Sequence, residues 1–537
     1  MSLQTPMSLM RATFTVSGLT LISRIMGFVR DVLMAAVLGA GFIADCFVLA
    51  FKLPNLFRRL FAEGAFAAAF VPMFSGYLEG REGASDDEAS RRAAARQFAE
   101  EAFAVLFAIL LMFVAVCQIL MPWLMMGPAL GFVGEPQKFD LAVELTRITF
   151  PYLLFISLVS LMGGVLNSIG RFAAVAATPV VLNLCMIAAL LFFADTFDTP
   201  AHALAAGVSI AGVGQFVWLW IACRKVGFSL RLRRPRLTPP VRRLVKLILP
   251  VALGAGAYQI SLLLDVFLAG FLADGSLAFL YYADRLSQLP LGVIGIAVGT
   301  ALLPALSRQV AASDTTRALA SQNRAIEMAM VLTMPATVAL VIVPVPLIAV
   351  LFERGAFDAD MTAATAAALG AYALGLPAYV LTKVLSPGFF ARQDTATPVR
   401  YSLVALGVNA VLNLILMFPL AHVGLALATA ISAWVNAGLL YWGLRRRGYL
   451  RSDARLRRRV VRIMAAVVIM AVAVWAIAAG LDPWFRGAPV ERTLALVVLV
   501  TGGMACYGAA AFGFGAVRRE DFRGLLTRRR KKPVDTP

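Results

Sequence analysis

The chain has few of the side chains that hold transition metals or act as nucleophiles, with only two histidines and five cysteines among 537 residues. His202 and His422 lie in short connections between apolar runs, and no two cysteines have the short spacing of a metal site or a redox pair. We therefore expect no histidine-based metal or nucleophile chemistry, and we interpret the cysteines as small apolar core residues. The P-loop motif GxxxxGK[ST] is also absent, which argues against ATP-driven work.

Charge is scarce as well. Only 15% of the residues are charged, 60% are hydrophobic and the mean hydropathy is +0.82, which is too apolar for a soluble chain of this length and predicts a polytopic membrane protein. The first ten residues lack the pattern of a cleavable signal peptide. The net charge of +19 is concentrated in short connections between apolar runs, where membrane topology explains it, so we expect no nucleic-acid partner.

At about 20 apolar residues per crossing, the sequence predicts an all-α protein with fourteen transmembrane helices. Segments 224–246 and 445–462 each contain nine basic residues, which places these connections and both termini in the cytoplasm. The connections on the opposite side contain only four basic residues, Lys138, Arg354, Arg486 and Arg492.

Short motifs recur along the chain in the same order. Gly170-Arg171 and Ala391-Arg392 each precede an Ala-Thr-Pro-Val motif, and Leu53-Pro54 corresponds to Leu289-Pro290. The repeat predicts two parallel six-helix lobes related by a pseudo-two-fold axis, with substrate at their interface and two further helices at the C-terminus. The predicted domains are residues 1–230 for spans 1 to 6, 231–447 for spans 7 to 12, and 448–537 for spans 13 and 14 with a basic cytoplasmic tail.

Charged residues interrupt the first two predicted spans. An ion at the centre of a bilayer helix costs about 2.5 to 3.5 kcal/mol, so these side chains are expected to line a polar interior that receives an anionic ligand. The charged residues are Arg24, Arg30, Asp31, Asp45, Lys52, Arg58, Arg59 and Glu63.

Helical geometry gives these side chains preferred directions. Arg24 and Asp31 share a face, whereas the adjacent residues Arg30 and Asp31 project in different directions and are expected to be poor direct partners. In the second span the residues Asp45, Lys52, Arg59 and Glu63 form one stripe, but Pro54 disturbs its phase, so either Arg58 or Arg59 could point inward. Arg285, beside Asp284, is the corresponding cation of the second lobe, and both lobes are expected to present cations to one cavity.

Two interpretations of these charges remain open. They could pair with one another and only fasten helices together. Alternatively, the arginines could bind a pyrophosphate, because a guanidinium bridges phosphate oxygens with a fork of donors and keeps its charge under all conditions.

Four charge-bearing segments carry a family resemblance. They are SRIMGFVRD at 23–31, FKLPNLFRRLFAEGAF at 51–66, YYADRL at 281–286 and SPGFFARQD at 386–394. With them the chain resembles, over essentially its whole length, the MurJ (MviN) lipid II flippases of the multidrug/oligosaccharidyl-lipid/polysaccharide exporter superfamily. The resemblance implies that the functional cavity positions are Arg24, Arg30, Asp45, Arg58 and Arg285, with Asp31 beside them.

The resemblance further implies transport, not catalysis. The expected substrate is lipid II, the undecaprenyl-pyrophosphate-linked disaccharide-pentapeptide, carried from the cytoplasmic to the periplasmic leaflet of the bacterial inner membrane by alternating access. Spans 13 and 14 would form with the second lobe a groove for the polyprenyl tail, and the protein would work as a monomer among membrane lipids. The alternatives are export of another polyprenyl-linked glycan or of drugs, or a membrane glycosyltransferase or pyrophosphatase acting on the same lipid.

A second set of polar residues suits a sodium ion. Asp265, Asn409, Asn413 and Thr429 are hard oxygen donors in predicted spans, and Asn409 and Asn413 lie one helical turn apart. Some members of the family that the chain resembles have a sodium site in these helices, so Na⁺ is a candidate coupling ion and no other cofactor is expected. The alternatives are interhelical hydrogen bonds among these residues and a pairing of Asp265 with Lys383.

Overall fold

The computed structural model describes residues 9–59, 66–81 and 87–518, and every regular element within these ranges is a helix. The predicted all-α class is confirmed. The chain folds as two compact units, one formed by Met1–Ala278 with Arg354–Asp358 and the other by Phe279–Glu353 with Ala359–Pro537. The first unit extends past position 230, where the sequence predicts the end of the first lobe, and the predicted lobe boundaries stay predictions.

The helices of the first unit follow one another with short connections. They are α1 (Leu9–Leu38), α2 (Phe42–Arg58), α3 (Ala67–Leu78), α4 (Glu88–Ile119), α5 (Met121–Met125), α6 (Pro136–Thr149), α7 (Tyr152–Ser168), α8 (Phe172–Phe192), α9 (Pro200–Lys225) and α10 (Pro239–Ala269), with a 3₁₀ turn at Leu130–Phe132.

Helix α11 (Ser276–Ala311) begins in the first unit and continues into the second. The remaining helices of the second unit are α12 (Thr315–Ile342), α13 (Pro344–Phe352), α14 (Ala359–Phe390), α15 (Ala396–Arg446), α16 (Ala454–Gly480), α17 (Asp482–Phe485) and α18 (Pro489–Gly513).

Within the described ranges, nine helical stretches are long and apolar enough to cross a membrane. One of them, the 51-residue α15, would be about 75 Å long if straight, far more than the roughly 30 Å of a bilayer core. It bends at Ala421, where φ is +48°, shortly after Pro419. It therefore supplies two crossings. The other predicted spans coincide with α1, with α2 and α3, with α10 and with α11, so the helix bounds are consistent with fourteen crossings.

A buried carboxylate on α4 holds the extended segment that precedes α10. It lies in the part of α4 before the apolar run of that helix. Glu100, which is 0% exposed, accepts hydrogen bonds from Arg233 Nε at 2.6 Å and from the backbone nitrogen of Arg231 at 3.3 Å. Thr238 Oγ1 donates to Glu101 at 2.7 Å. Adjacent acids on α4 therefore hold both ends of the basic segment, and arginines of that segment offset the buried charge.

A second buried carboxylate holds α16 against α12. Glu327 is 2% exposed and accepts a hydrogen bond from Arg459 Nη1 at 3.1 Å. Arg324 bridges Glu327 and Asp453, and Asp453 caps α16 by accepting from the backbone nitrogen of Leu456 at 2.6 Å. Because the charges are paired, the acid can be buried where α16 packs against α12 within the second unit.

Candidate substrate-binding site

Arg30 and Asp31 form a buried pair in the C-terminal third of α1, with 6% and 3% of their surfaces exposed. The Nε and Nη2 groups of Arg30 donate to Asp31 Oδ1 over 3.0 and 2.6 Å. Nη1 donates to Asn183 Oδ1 over 3.0 Å, and the guanidinium lies 5.9 Å from the centroid of the Phe51 ring. Contacts from α1, α2 and α8 therefore fix the direction of this cation.

The pairing of Arg30 with Asp31 corrects the sequence prediction that these neighbours are poor partners. The prediction considered only the directions of the Cβ atoms, which differ by about 100° around a helix. An arginine side chain is long enough to curl around the helix surface and bring its guanidinium to the adjacent carboxylate. Asp31 is buried and Arg24 is exposed. The helix face that carries both residues is therefore buried at Asp31 and exposed at Arg24.

Asn183 is part of this cluster and was missed by the sequence analysis. It lies on α8, is 5% exposed, and donates from Nδ2 to the backbone carbonyl of Ser23 at 3.0 Å while accepting from Arg30. Its signal in the sequence is its position as an amide in the otherwise mostly apolar stretch Phe172–Phe192. Amides in such helices usually hydrogen-bond to a neighbouring helix, but the sequence does not identify the partner.

The other predicted cations of the first unit differ in exposure. Arg24 is exposed, and Arg58 is half-buried with its Nε donating to Asn55 Oδ1 at 3.1 Å. Arg59 is exposed at the C-terminal end of α2. Glu63 lies outside the described residues. The more buried of the two adjacent arginines is thus Arg58, the one that the family resemblance favours.

The proline in α2 is compensated by a neighbouring helix. Pro54 has no N–H to donate to the carbonyl of Ala50, four residues earlier. The hydroxyl of Thr149, at the end of α6, donates to that carbonyl over 2.9 Å, and Thr149 is 0% exposed. In the next turn Asn55 Nδ2 donates to the carbonyl of Phe51 at 2.7 Å. These bonds support the segment of α2 that carries Lys52 and Arg58.

Asp45 is held in a different manner, by the beginning of α11. Its two carboxylate oxygens accept hydrogen bonds from the backbone nitrogens of Gly275 and Ala278 at 2.8 and 2.9 Å. Lys138 Nζ lies 4.0 Å from Asp45, pairs with Asp274, and lies 4.2 Å from the centroid of the Phe132 ring. Asp45 is 2% exposed and Lys138 3%. The carboxylate therefore caps the helix that carries Arg285.

In the second unit, Arg285 lies on α11 with its guanidinium 4.7 Å from the centroid of the Tyr281 ring, a cation–π contact one turn away. Arg285 is half-buried, and Tyr281 and Tyr282 are buried. Asp284 accepts a hydrogen bond from Gln288 of the same helix. An aromatic face therefore supports this cation.

Three of the four candidate sodium ligands form a hydrogen-bonded chain within α15. Asn413 Nδ2 donates to Asn409 Oδ1 at 3.2 Å, and Asn409 Nδ2 donates to Thr429 Oγ1 at 3.4 Å. Asn413 is 0% exposed. Asp265 belongs to the first unit. No group of three or more His, Cys, Asp or Glu side chains in the described part of the chain could hold a metal ion. The two amides are thus hydrogen-bonded to each other and to Thr429, and the sodium site stays a prediction.

A cavity of about 790 Å³ opens between α12, α13, α16 and α17 of the second unit. Apolar and charged side chains both line it. Its lining includes Ile342, Val345, Trp475, Phe485, Arg486 and Arg492.

The arrangement of helices is shared with solved membrane transporters. A structure described as "Lipid II flippase MurJ, inward closed conformation" aligns with a TM-score of 0.74 at 22% identity, covering 95% of this chain and 99% of that one. An inward-facing multidrug resistance MATE family transporter of the MOP superfamily aligns with a TM-score of 0.59 at 17% identity, covering 81% and 97%. The chain therefore has the fold of MOP-superfamily transporters.

Sequence comparison identifies the family within that class. The family "Lipid II flippase MurJ" matches residues 34–494. The Rhizobium tropici "Probable lipid II flippase MurJ" is 43% identical over 98% of both chains. The Burkholderia cenocepacia "Lipid II flippase MurJ" is 36% identical over 98% of this chain and 100% of its own length. The chain belongs to the MurJ family and is a multi-pass membrane protein.

Proposed function

We propose that this protein is a lipid II flippase of the bacterial inner membrane, which moves the lipid-linked peptidoglycan precursor from the cytoplasmic to the periplasmic leaflet. The names of its relatives, which match it over almost their full lengths, support the substrate. The fold shared with MOP-superfamily transporters supports alternating access as the mechanism.

The observation that carries the binding step is the buried, oriented guanidinium of Arg30. A charge inside a membrane helix is expensive and usually marks a substrate pathway. The fork of N–H donors on a guanidinium matches the oxygens of a pyrophosphate, and the charge persists at every physiological pH. We assign the pyrophosphate to Arg30 together with Arg24 and Arg58, and we assign the same role to Arg285 on the strength of the family resemblance.

The acidic residues of the set have supporting roles in this proposal. Asp31 holds two donors of Arg30, and Asp45 holds the beginning of the helix that carries Arg285. Each therefore acts on the substrate through an arginine. For Arg59 and Glu63 the substrate-binding assignment stays a sequence prediction.

The polyprenyl tail and the energy source complete the proposal. The part of the cavity wall formed by Ile342, Trp475 and Phe485 is apolar and suits a polyprenyl tail. An ion crossing the membrane gains about 2.3 kcal/mol per charge per 100 mV, so a membrane potential or a sodium gradient can give the cycle its direction. Asn409, Asn413 and Thr429, with Asp265, are the proposed sodium ligands.

The experiment is flipping of fluorescent lipid II in vesicles that contain the purified protein, with and without Na⁺ and an imposed potential. Arg24→Ala, Arg30→Ala and Arg285→Ala are expected to abolish flipping while the protein still reconstitutes. Arg317→Ala is the matched control, because this arginine is 81% exposed and pairs only with Asp314 at the start of α12 among the contacts described. Wild-type flipping by all three variants would refute the proposed site, and cleavage of the lipid would indicate an enzyme instead.

A further inference from the structure

We propose that Asn183 is a positioning residue that sets the direction of the Arg30 guanidinium for a pyrophosphate ligand. The inference rests on the proposed function and extends it to a helix, α8, for which the sequence predicted no role. Its basis is the bridge that one amide side chain makes between a cation and the backbone of α1.

The two ends of the Asn183 amide have different partners, which fixes its orientation. Oδ1 accepts from Arg30 Nη1 at 3.0 Å, and Nδ2 donates to the Ser23 carbonyl at 3.0 Å. If the amide were rotated by 180°, two donors would face each other at one end and two acceptors at the other. The carbonyl oxygen of the amide must therefore point at the guanidinium.

The structure leaves room for this bridge on α1 and supports it from α9. A Cβ added at Gly27 would lie 3.5 Å from Asn183 Nδ2, an ordinary van der Waals distance, so the amide packs directly against this turn of α1. On the other side, Gln215 Nε2 donates to the Thr178 carbonyl and Trp218 Nε1 to the Ala174 carbonyl, each at 3.0 Å. Both carbonyls lie on the N-terminal side of Pro179, which is one turn before Asn183 and removes a backbone donor from the helix. The position of Asn183 is thus fixed from two neighbouring helices.

A neutral amide suits this role better than an acid. Asp31 already supplies one negative charge to the Arg30 guanidinium through Nε and Nη2. A second carboxylate at position 183 would give the cluster a net negative charge and would repel an anion. Asn183 orients the remaining side of the guanidinium and leaves the charge balance unchanged.

The test is a double-mutant cycle on lipid II affinity, measured with the full-length protein in detergent. Asn183→Leu removes both hydrogen bonds at nearly the same volume, and Arg30→Lys replaces the fork by a single ammonium. We expect Asn183→Leu to weaken binding about tenfold in the wild type and less than twofold in the Arg30→Lys background. Asn436→Leu, in α15, is the matched control, because its amide makes a weak 3.5 Å bond to Ser402.

A second variant separates a loss of lipid II binding from a folding defect. Asn183→Gln keeps the amide but moves it by one methylene, so it is expected to fold and to bind lipid II several-fold more weakly. Equal losses from Asn183→Leu in both backgrounds, or wild-type affinity of Asn183→Gln, would overturn the positioning role. If Arg30→Lys weakens binding and Asn183→Leu does not, only this inference fails. If Arg30→Lys binds as the wild type does, the proposed pyrophosphate site fails with it.

Discussion

The first unit contains two buried charged clusters, one centred on the carboxylate of Asp45 and one on the guanidinium of Arg30, and different partners hold the two charges. At Asp45 a carboxylate receives two backbone N–H groups from the beginning of α11 and has the ammonium of Lys138 beside it. At Arg30 a guanidinium is held by one carboxylate, Asp31, and by one neutral amide, Asn183. The first cluster joins α2 to a helix terminus, whereas the second orients a cation beside α8.

Under the proposed function, one set of membrane charges divides between structure and substrate binding. A carboxylate that caps a helix N-terminus stabilises that terminus through backbone donors and the helix dipole. A guanidinium that is held by side chains presents a fixed donor geometry, which is the property that recognition of phosphate requires. Substitutions in the Asp45 cluster should therefore lower stability first, and substitutions in the Arg30 cluster should lower affinity first.

The largest effect on stability is expected for Asp45→Ala. The substitution removes a helix cap and one partner of a buried ion pair, which costs about 3 kcal/mol, at the lower end for such a pair because Asp274 remains beside Lys138. The apparent melting temperature in detergent should fall more than for any other variant described here. Asp482→Ala is the control, since this acid is 55% exposed in its pair with Arg486. Equal melting temperatures for the two variants would remove the structural role of Asp45.

The next effect is expected for Arg30→Lys, and it should appear in binding. The ammonium keeps the charge beside Asp31, so the melting temperature should change little. The loss of the forked donors should weaken lipid II binding by about 2 kcal/mol, roughly 30-fold in Kd. Titration of the purified variant with lipid II measures this. A large loss of melting temperature with unchanged affinity would reverse the division between the two clusters.

A smaller effect is expected for Thr149→Val, which preserves the shape of the side chain. Pro54 has no N–H for the Ala50 carbonyl, and the substitution also removes the hydroxyl that donates to this carbonyl instead. The loss should be about 1 kcal/mol of stability. Thr501→Val provides the control, because the Thr501 hydroxyl donates only to carbonyls of its own helix among the contacts described. If the two valine variants have the same melting temperature, the Thr149 hydroxyl does not stabilise the segment of α2 around Pro54.

The smallest effect is expected for Asp394, a carboxylate outside the membrane that accepts a backbone N–H, as Asp45 does. The backbone N–H of Thr397, helped by the Thr397 side chain and by Arg447, lowers the pKa of Asp394 from 3.8 to about 2. Because the pKa is lower in the folded protein, the stabilisation is complete above about pH 4 and is lost as the pH falls toward 2. The difference in melting temperature between wild type and Asp394→Asn should therefore be present at pH 6 and shrink by pH 3. A difference that grows as the pH falls would contradict this assignment.

Much of the fold could be predicted from the sequence, because long apolar runs fix the positions of the helices. The buried cation of α1, Arg30, could also be identified, since charged residues within a span are conspicuous. The contacts that orient it could not. Asn183 is 153 residues from Arg30, and Lys138 is 92 residues from the Cys46 side chain that donates to its carbonyl. Such pairings depend on tertiary packing, which a single sequence does not specify.

Predictions of contacts from Cβ directions alone are wrong where a side chain is long. The directions of Cβ atoms separated Arg30 from Asp31, yet the arginine reaches its neighbour. Lys138 belongs to one of the connections that the sequence predicts to lie outside the cytoplasm, where basic residues are few. A buried lysine needs an acidic partner, and Asp45 and Asp274 supply it.

The most direct test is the rate of lipid II flipping by Arg30→Lys beside the wild type in the same vesicle preparation. The variant keeps the positive charge and is expected to reconstitute normally, yet its flipping should fall to a few per cent of the wild-type rate or less, as a 30-fold loss of affinity implies at limiting lipid II. Flipping at the wild-type rate would show that an oriented guanidinium at this position is not what the substrate requires.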